Sequence, residues 1–142
     1  MLFSEILEFV VNHRNKGRSG AFNFPDHILV SYIVWAFQRD YLMLTYSEGK
    51  ISSVMIAAPL NKGFNPEQDK LFSFDRFIPI SEEKDYPLGI LDFICIDNTK
   101  RKEIINKLLA RFENFVYQEK WAMRFNETVK LPNNYFNHFY NL

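Results

Sequence analysis

Leu88-Gly89-Ile90-Leu91-Asp92-Phe93-Ile94-Cys95-Ile96 is the most apolar run in the chain, and Asp97-Asn98-Thr99-Lys100-Arg101-Lys102 follows it directly. A near-continuous hydrophobic run of this length reads as a strand buried on both faces of a sheet. The polar stretch after it reads as the start of a helix, with Asp97-Asn98-Thr99 offering side-chain oxygens to the unpaired first-turn N–H groups. Ile104, Ile105, Leu108, Leu109, Phe112, Phe115 and Val116 then recur at three- and four-residue spacing, which predicts an amphipathic helix running to about Glu119. Beyond it Trp121, Met123 and Phe125 alternate with Ala122, Arg124 and Asn126, the period of a half-exposed strand reaching Val129. Strand, helix, strand is a crossover unit, so the buried run is expected to be a central strand.

Upstream, Leu2, Ile6, Leu7, Phe9, Val10 and Val11 follow one helical face that ends near Asn12-His13-Arg14-Asn15. Lys16-Gly17-Arg18-Ser19-Gly20 is loop chemistry with two cations. Asp26 after Pro25 reads as the N-cap of a second helix burying Ile28, Leu29, Tyr32, Ile33, Trp35, Ala36 and Phe37. Tyr41–Tyr46 and Ile51–Ala58 are rich in β-formers and flank the turn Ser47-Glu48-Gly49-Lys50, a hairpin. Asn61–Asp69 reads as loop, Leu71–Ile80 as a further strand, and Tyr135, Phe136, Phe139 and Tyr140 as an aromatic tail that docks on the domain or on a second copy. The fold class expected is α/β (α+β): one domain over residues 1–142, with a mixed, mostly antiparallel central sheet and helices on both faces.

Composition narrows the partners. Seventeen basic residues balance seventeen acidic ones, so nothing global points to nucleic acid or an anionic membrane. No apolar stretch approaches the length of a membrane span, and Met1–Val11 lacks the basic start and cleavage site of a signal peptide. The lone cysteine, Cys95, has no intramolecular disulfide partner, which suits a reducing, cytoplasmic setting. Fifteen Phe, seven Tyr and two Trp supply more apolar surface than an ordinary core requires, leaving some for a homodimer face or an acyl pocket. Cys/His metal spacing, the Walker loop, G-x-G-x-x-G and G-x-S-x-G are all missing, so no metal and no tightly bound cofactor is expected.

Asp92 is the residue that core design does not explain. A carboxylate in such a run must be desolvated, paired or placed at a strand opening. It is either a structural group satisfied by an Arg or a backbone amide, or a functional one, since perturbed carboxylates concentrate at sites. Lys100, Arg101 and Lys102 oppose the helix dipole, a conflict that a bound anion would relieve; as plain surface charges they form a solvated basic turn.

The order of elements from about Asp26 to Val129 resembles the GNAT acyltransferase superfamily, although the helix after the central strand opens without that family's glycine-rich loop. The sequence is more specifically similar to the toxin-activating lysine acyltransferases (the RTX toxin acyltransferase family), GNAT-like proteins without the glycine loop. His13-Arg14-Asn15 after the first helix matches that family's His-Arg-Asn step, and Asp92-Phe93 matches its Asp in a hydrophobic strand followed by an aromatic, usually Trp. The resemblance implies an acyl group passed from acyl carrier protein, or acyl-CoA, to a lysine of a protein acceptor. It implies His13 and Asp92 as a catalytic pair, and Asn98, Lys100, Arg101 and Lys102 as the turn that receives the donor's phosphate. Such chemistry suits these residue types, because an imidazole can take the ammonium proton and a carboxylate can steady the imidazolium. The second class of function is a catalytically inactive GNAT-like binding or structural protein, for instance one encoded by a virus, that keeps the sheet and has lost the chemistry.

Overall fold

The computed structural model describes residues 2–14, 21–61, 63–65, 87–112, 119–124 and 127–132. Helix α1 (Leu2–His13) buries Ile6, Phe9 and Val10, and a short 3-10 turn, Ala21–Asn23, leads to α2 (Asp26–Gln38). Asp26 is the first helical residue rather than the cap. Pro25 holds the N-cap position, and its carbonyl accepts from Ile28 and Leu29 N–H at 2.9 and 3.0 Å. Proline there leaves Asp26 in the first turn, where its charge suits the positive end of the helix dipole.

Strands β1 (Leu42–Ser47) and β2 (Lys50–Pro59) form the expected antiparallel hairpin. Glu48 and Gly49 lie at φ +53° and +80°. Two left-handed residues in a two-residue connection match the twist of the flanking strands, and the glycine meets half of that demand without strain. Strand β3 (Leu88–Cys95) pairs antiparallel with β2 and stands in the middle of a five-stranded sheet ordered β1-β2-β3-β4-β5. Asn98–Lys100 and α3 (Arg101–Arg111) then cross to β4 (Lys120–Arg124), which runs parallel to β3. The fold is α+β with a mixed, mostly antiparallel sheet, as the crossover pattern implies.

The segment Trp121–Val129 forms two strands rather than one. β5 (Glu127–Leu131) returns antiparallel along β4, with Arg124 opposite Glu127. The expected strand Leu71–Ile80, the loop 16–20, the end of the crossover helix beyond Phe112 and the tail 135–140 lie outside the described residues.

Register decides which side chain faces which helix. Met43, Met55 and Phe93 are cross-strand partners on one face, where the Arg101 guanidinium lies 5.2 Å above the Phe93 ring at the start of α3. Leu42, Ile56 and Asp92 share the other face, and Tyr32 of α2 reaches Asp92 there. Helices therefore cover both faces, α2 with α1 beside it on one and α3 on the other. The core runs through the sheet, with Ile6, Leu29, Ile33, Val54, Ile56 and Ile94 buried on the α1–α2 side. Tyr41 spans the layers, its ring 5.4 Å from Trp35 of α2 and 6.0 Å from Phe112 beyond α3. Among the described residues no helix is long and apolar enough to cross a membrane.

Candidate functional site at the end of the central strand

The candidate residues gather around the C-terminal half of β3. Ile56 pairs with Asp92 but Ala57 pairs with Ile90, so Leu91 is an extra residue, a bulge. Bulges bend a strand, raise its twist and re-aim side chains. Here the bulge falls where β4 leaves: Leu88, Gly89 and Ile90 pair with Lys120, Trp121 and Ala122, and among the described residues β4 pairs no further along β3. Among the described residues, no strand pairs with β3 from Leu91 onward on its β4 side.

Asp92 sits in that stretch, only 1 % exposed. Its Oδ2 accepts from the Tyr32 hydroxyl at 2.5 Å, and its Oδ1 accepts from the Phe22 backbone N–H at 3.2 Å. Of the two readings open to this carboxylate, a backbone amide is indeed one partner; a tyrosine 60 residues away supplies another. Burial pushes the Tyr32 hydroxyl pKa well above its ordinary value, and the Asp92 charge and hydrogen bond push it further the same way. Tyr32 therefore stays protonated and remains a donor.

His13 ends α1 with its ring tilted against Phe9, centroids 4.8 Å apart. It lines an open groove of about 630 Å³ between α1 and the ends of β1, β2 and β3. Glu5, Glu8 and Asn12 stand with it on the α1 wall; Lys50, Ser52, Ile96 and Asp97 form the opposite side. Ile96 follows the last residue of β3, four positions beyond Asp92, so at the rise of a strand the groove mouth lies about 13 Å along the chain from the buried carboxylate. Asp97 is locked in place. Ser47 Oγ donates to its Oδ2 at 2.6 Å, while Thr99 N–H and Oγ1 donate to its Oδ1 at 3.0 and 2.6 Å. The Ser47 bond first, then those from Thr99, hold the Asp97 carboxyl below the usual carboxylate range.

The basic turn is placed differently. Lys100 pairs with Glu103 at 3.6 Å, Arg101 lies over Phe93, and Asn98 begins the 3-10 turn ahead of α3. Because Asp92 and Phe93 point to opposite faces, Arg101 and the Asp92 carboxylate lie on opposite sides of β3. The structure thus brings His13 and Asp97 into one groove, joins Asp92 to Tyr32 and Phe22, and sets the cations at the next corner.

Two participants escape sequence reasoning. Tyr32 reads as a buried helix residue and Phe22 carries no signal of its own, and their role depends on contacts across 60 and 70 residues. Apart from them, Lys120 at the start of β4 is only 2 % exposed. Burial lowers the pKa of its ammonium. Among the described residues no group of three or more His, Cys, Asp or Glu side chains could hold a metal ion. Comparison of the chain with protein-family models, curated proteins and solved structures finds no match.

Proposed function

We propose that the chain is a GNAT-like acyltransferase that moves an acyl group from a thioester donor to a primary amine, with His13 as the base and Asp92, outside the groove that His13 lines, supporting it indirectly through the Phe22 segment beside the end of α1. The observation that carries this reading is the groove. It places an imidazole among three carboxylates, Glu5, Glu8 and Asp97, against one ammonium, Lys50. Such a lining favours a cationic acceptor, and a protein lysine is the natural one. The ammonium releases one proton through His13 to solvent, the free amine attacks the thioester carbonyl, the C–S bond breaks as the C–N bond is made, and the second nitrogen proton passes through His13 to the leaving thiolate.

The donor side is supported by the edge of β3 beyond its pairing with β4. A strand edge that no described residue pairs offers N–H and C=O groups to an extended amide chain, and the pantetheine arm of acyl carrier protein or coenzyme A is such a chain. At the following corner Asn98, Lys100, Arg101 and Lys102 suit its phosphate. Both donors are cytoplasmic molecules, and a homodimer would cover surplus aromatic surface.

A second reading has its own observation. Both oxygens of Asp92 already accept a hydrogen bond from the fold, as a structural carboxylate requires. On that reading the chain is a GNAT-like binding or structural protein without catalysis. Mass spectrometry separates the two. The full chain is incubated with acyl-loaded carrier protein or acyl-CoA and lysine-containing test peptides, beside His13→Ala and Asp92→Asn. Acyl adducts on lysine that disappear in folded His13→Ala support transfer. Failure of every donor to leave an adduct, or full activity in both variants, sinks it.

A further inference from the structure

Arg14 closes the end of α1 onto the segment that grips Asp92. Its Nη1 donates to the carbonyl oxygens of Phe22 and Phe24, each at 3.4 Å, and lies 3.6 Å from the Asp26 carboxylate at the start of α2. Phe22 is fully buried, with its ring edge-on to Tyr32 at 6.0 Å. Its N–H holds Asp92 Oδ1 while Tyr32 holds Oδ2. One short segment therefore has a guanidinium on its carbonyl side and a buried carboxylate on its amide side. The two bonds sit on successive peptide groups either side of the Phe22 Cα, so the link between them is positional: the same residue is held from both sides. His13 immediately precedes Arg14 and is the last residue of α1. Whatever fixes the Arg14 side chain fixes the backbone that carries the imidazole.

We infer that Arg14 is a positioning residue: through Phe22 it ties the His13 end of α1 to Asp92 on the central strand, so that carboxylate and imidazole are coupled along the chain. The consequence for turnover rests on the acyl-transfer reading; the coupling itself stands on the geometry above. It also gives an arginine beside the histidine a task that lysine meets poorly, because a guanidinium presents several N–H groups in a fixed plane and an ammonium does not.

The test uses the full chain as wild type, Arg14→Gln, Arg14→Lys, Asp92→Asn and the Arg14→Gln/Asp92→Asn double variant. NMR follows the His13 ring signals against pH and the exchange rate of the Phe22 amide, beside the acyl-transfer assay. Arg14→Gln and Asp92→Asn should each speed Phe22 exchange by roughly tenfold to a hundredfold, the size of one charge-assisted hydrogen bond. Both should move the His13 titration midpoint, Arg14→Lys should fall between, and the double variant should change less than the two singles combined. A role limited to holding loop carbonyls would leave His13 unmoved. Folded Arg14→Gln with wild-type His13 signals and Phe22 exchange overturns the inference, as does full additivity in the double variant. If Arg14→Gln does not fold, Arg14→Lys is read against the same two signals. Coupled His13 signals in a wild type that transfers no acyl group support the coupling and remove the acyl-transfer reading. Transfer without coupled signals does the reverse.

Discussion

Tyr32→Phe removes one oxygen atom from the interior and little else. The ring stays, with its packing on Phe22 and its stacking on Trp35 at 6.0 Å. What is lost is a 2.5 Å hydrogen bond to a carboxylate that is itself buried. A hydrogen bond to a charged group contributes roughly 1.5–3 kcal/mol, so the expected loss is about 2 kcal/mol. For a chain of 142 residues that corresponds to a melting temperature lower by about 4–8 °C. The alkaline limb gives an independent check. The folded pKa of Tyr32 lies above the ordinary value near 10, so between the two the folded state binds more protons than the unfolded state. Its contribution is therefore present below about pH 10 and lost as pH rises toward the folded value. In Tyr32→Phe that loss is absent, so the wild-type advantage should shrink above pH 10. Urea unfolding from pH 7 to 11 measures both effects. A variant within about 0.5 kcal/mol of wild type, the range of an ordinary surface change, would mean that Tyr32 does not hold Asp92 as described.

Leu108→Ala, at a fully buried position of α3, should cost about 2–5 kcal/mol by leaving a cavity, read from denaturant midpoints; a change near zero would misplace the helix face. Gly89→Ala would put a methyl group 2.9 Å from Cδ2 of the fully buried Leu60, so it should cost about 1–3 kcal/mol, and Leu60→Ala should relieve part of it in a double-variant cycle. Asp97, with its carboxyl pKa lowered chiefly by Ser47, contributes stability that is present above the ordinary value of 3.8 and lost as pH falls through the folded value. Acid unfolding followed by circular dichroism should therefore be less pH-dependent below about pH 4 in Asp97→Asn than in wild type.

The parts of the fold that were legible are those written in local chemistry. Glu48-Gly49 between two β-rich runs marks the hairpin, the run 88–96 marks the central strand, and the three- and four-residue spacing after it marks the crossover helix. The reversal from β4 to β5 was hidden because no glycine or proline separates Trp121 from Val129. Proline at the cap of α2 displaced Asp26 by one position, a distinction that residue preference alone does not make. The candidate site was legible only as isolated residues. Asp92 stands out because a carboxylate is out of place in an apolar run, and His13 only through the resemblance, but their neighbours Tyr32, Phe22 and Arg14 look like ordinary packing and surface charge. Only long-range pairing gives these three their roles, and no periodicity encodes which aromatic will meet which carboxylate.

The extra residue at Leu91 bears on how this strand tolerates changes of length. Ile90 and everything before it keeps step with β4 and the end of β2, while Asp92 and everything after it keeps step with the start of β2. Removing Leu91 would leave each of those partners in place, whereas removing any other residue of β3 would throw one flank out of phase. A shortened homologue lacking that position could thus keep the same sheet and present its carboxylate to the same helix. Leu91 is itself buried, so the lost packing would oppose such a deletion even though the hydrogen-bond ladder allows it. A gap of one residue in this strand is therefore expected at Leu91.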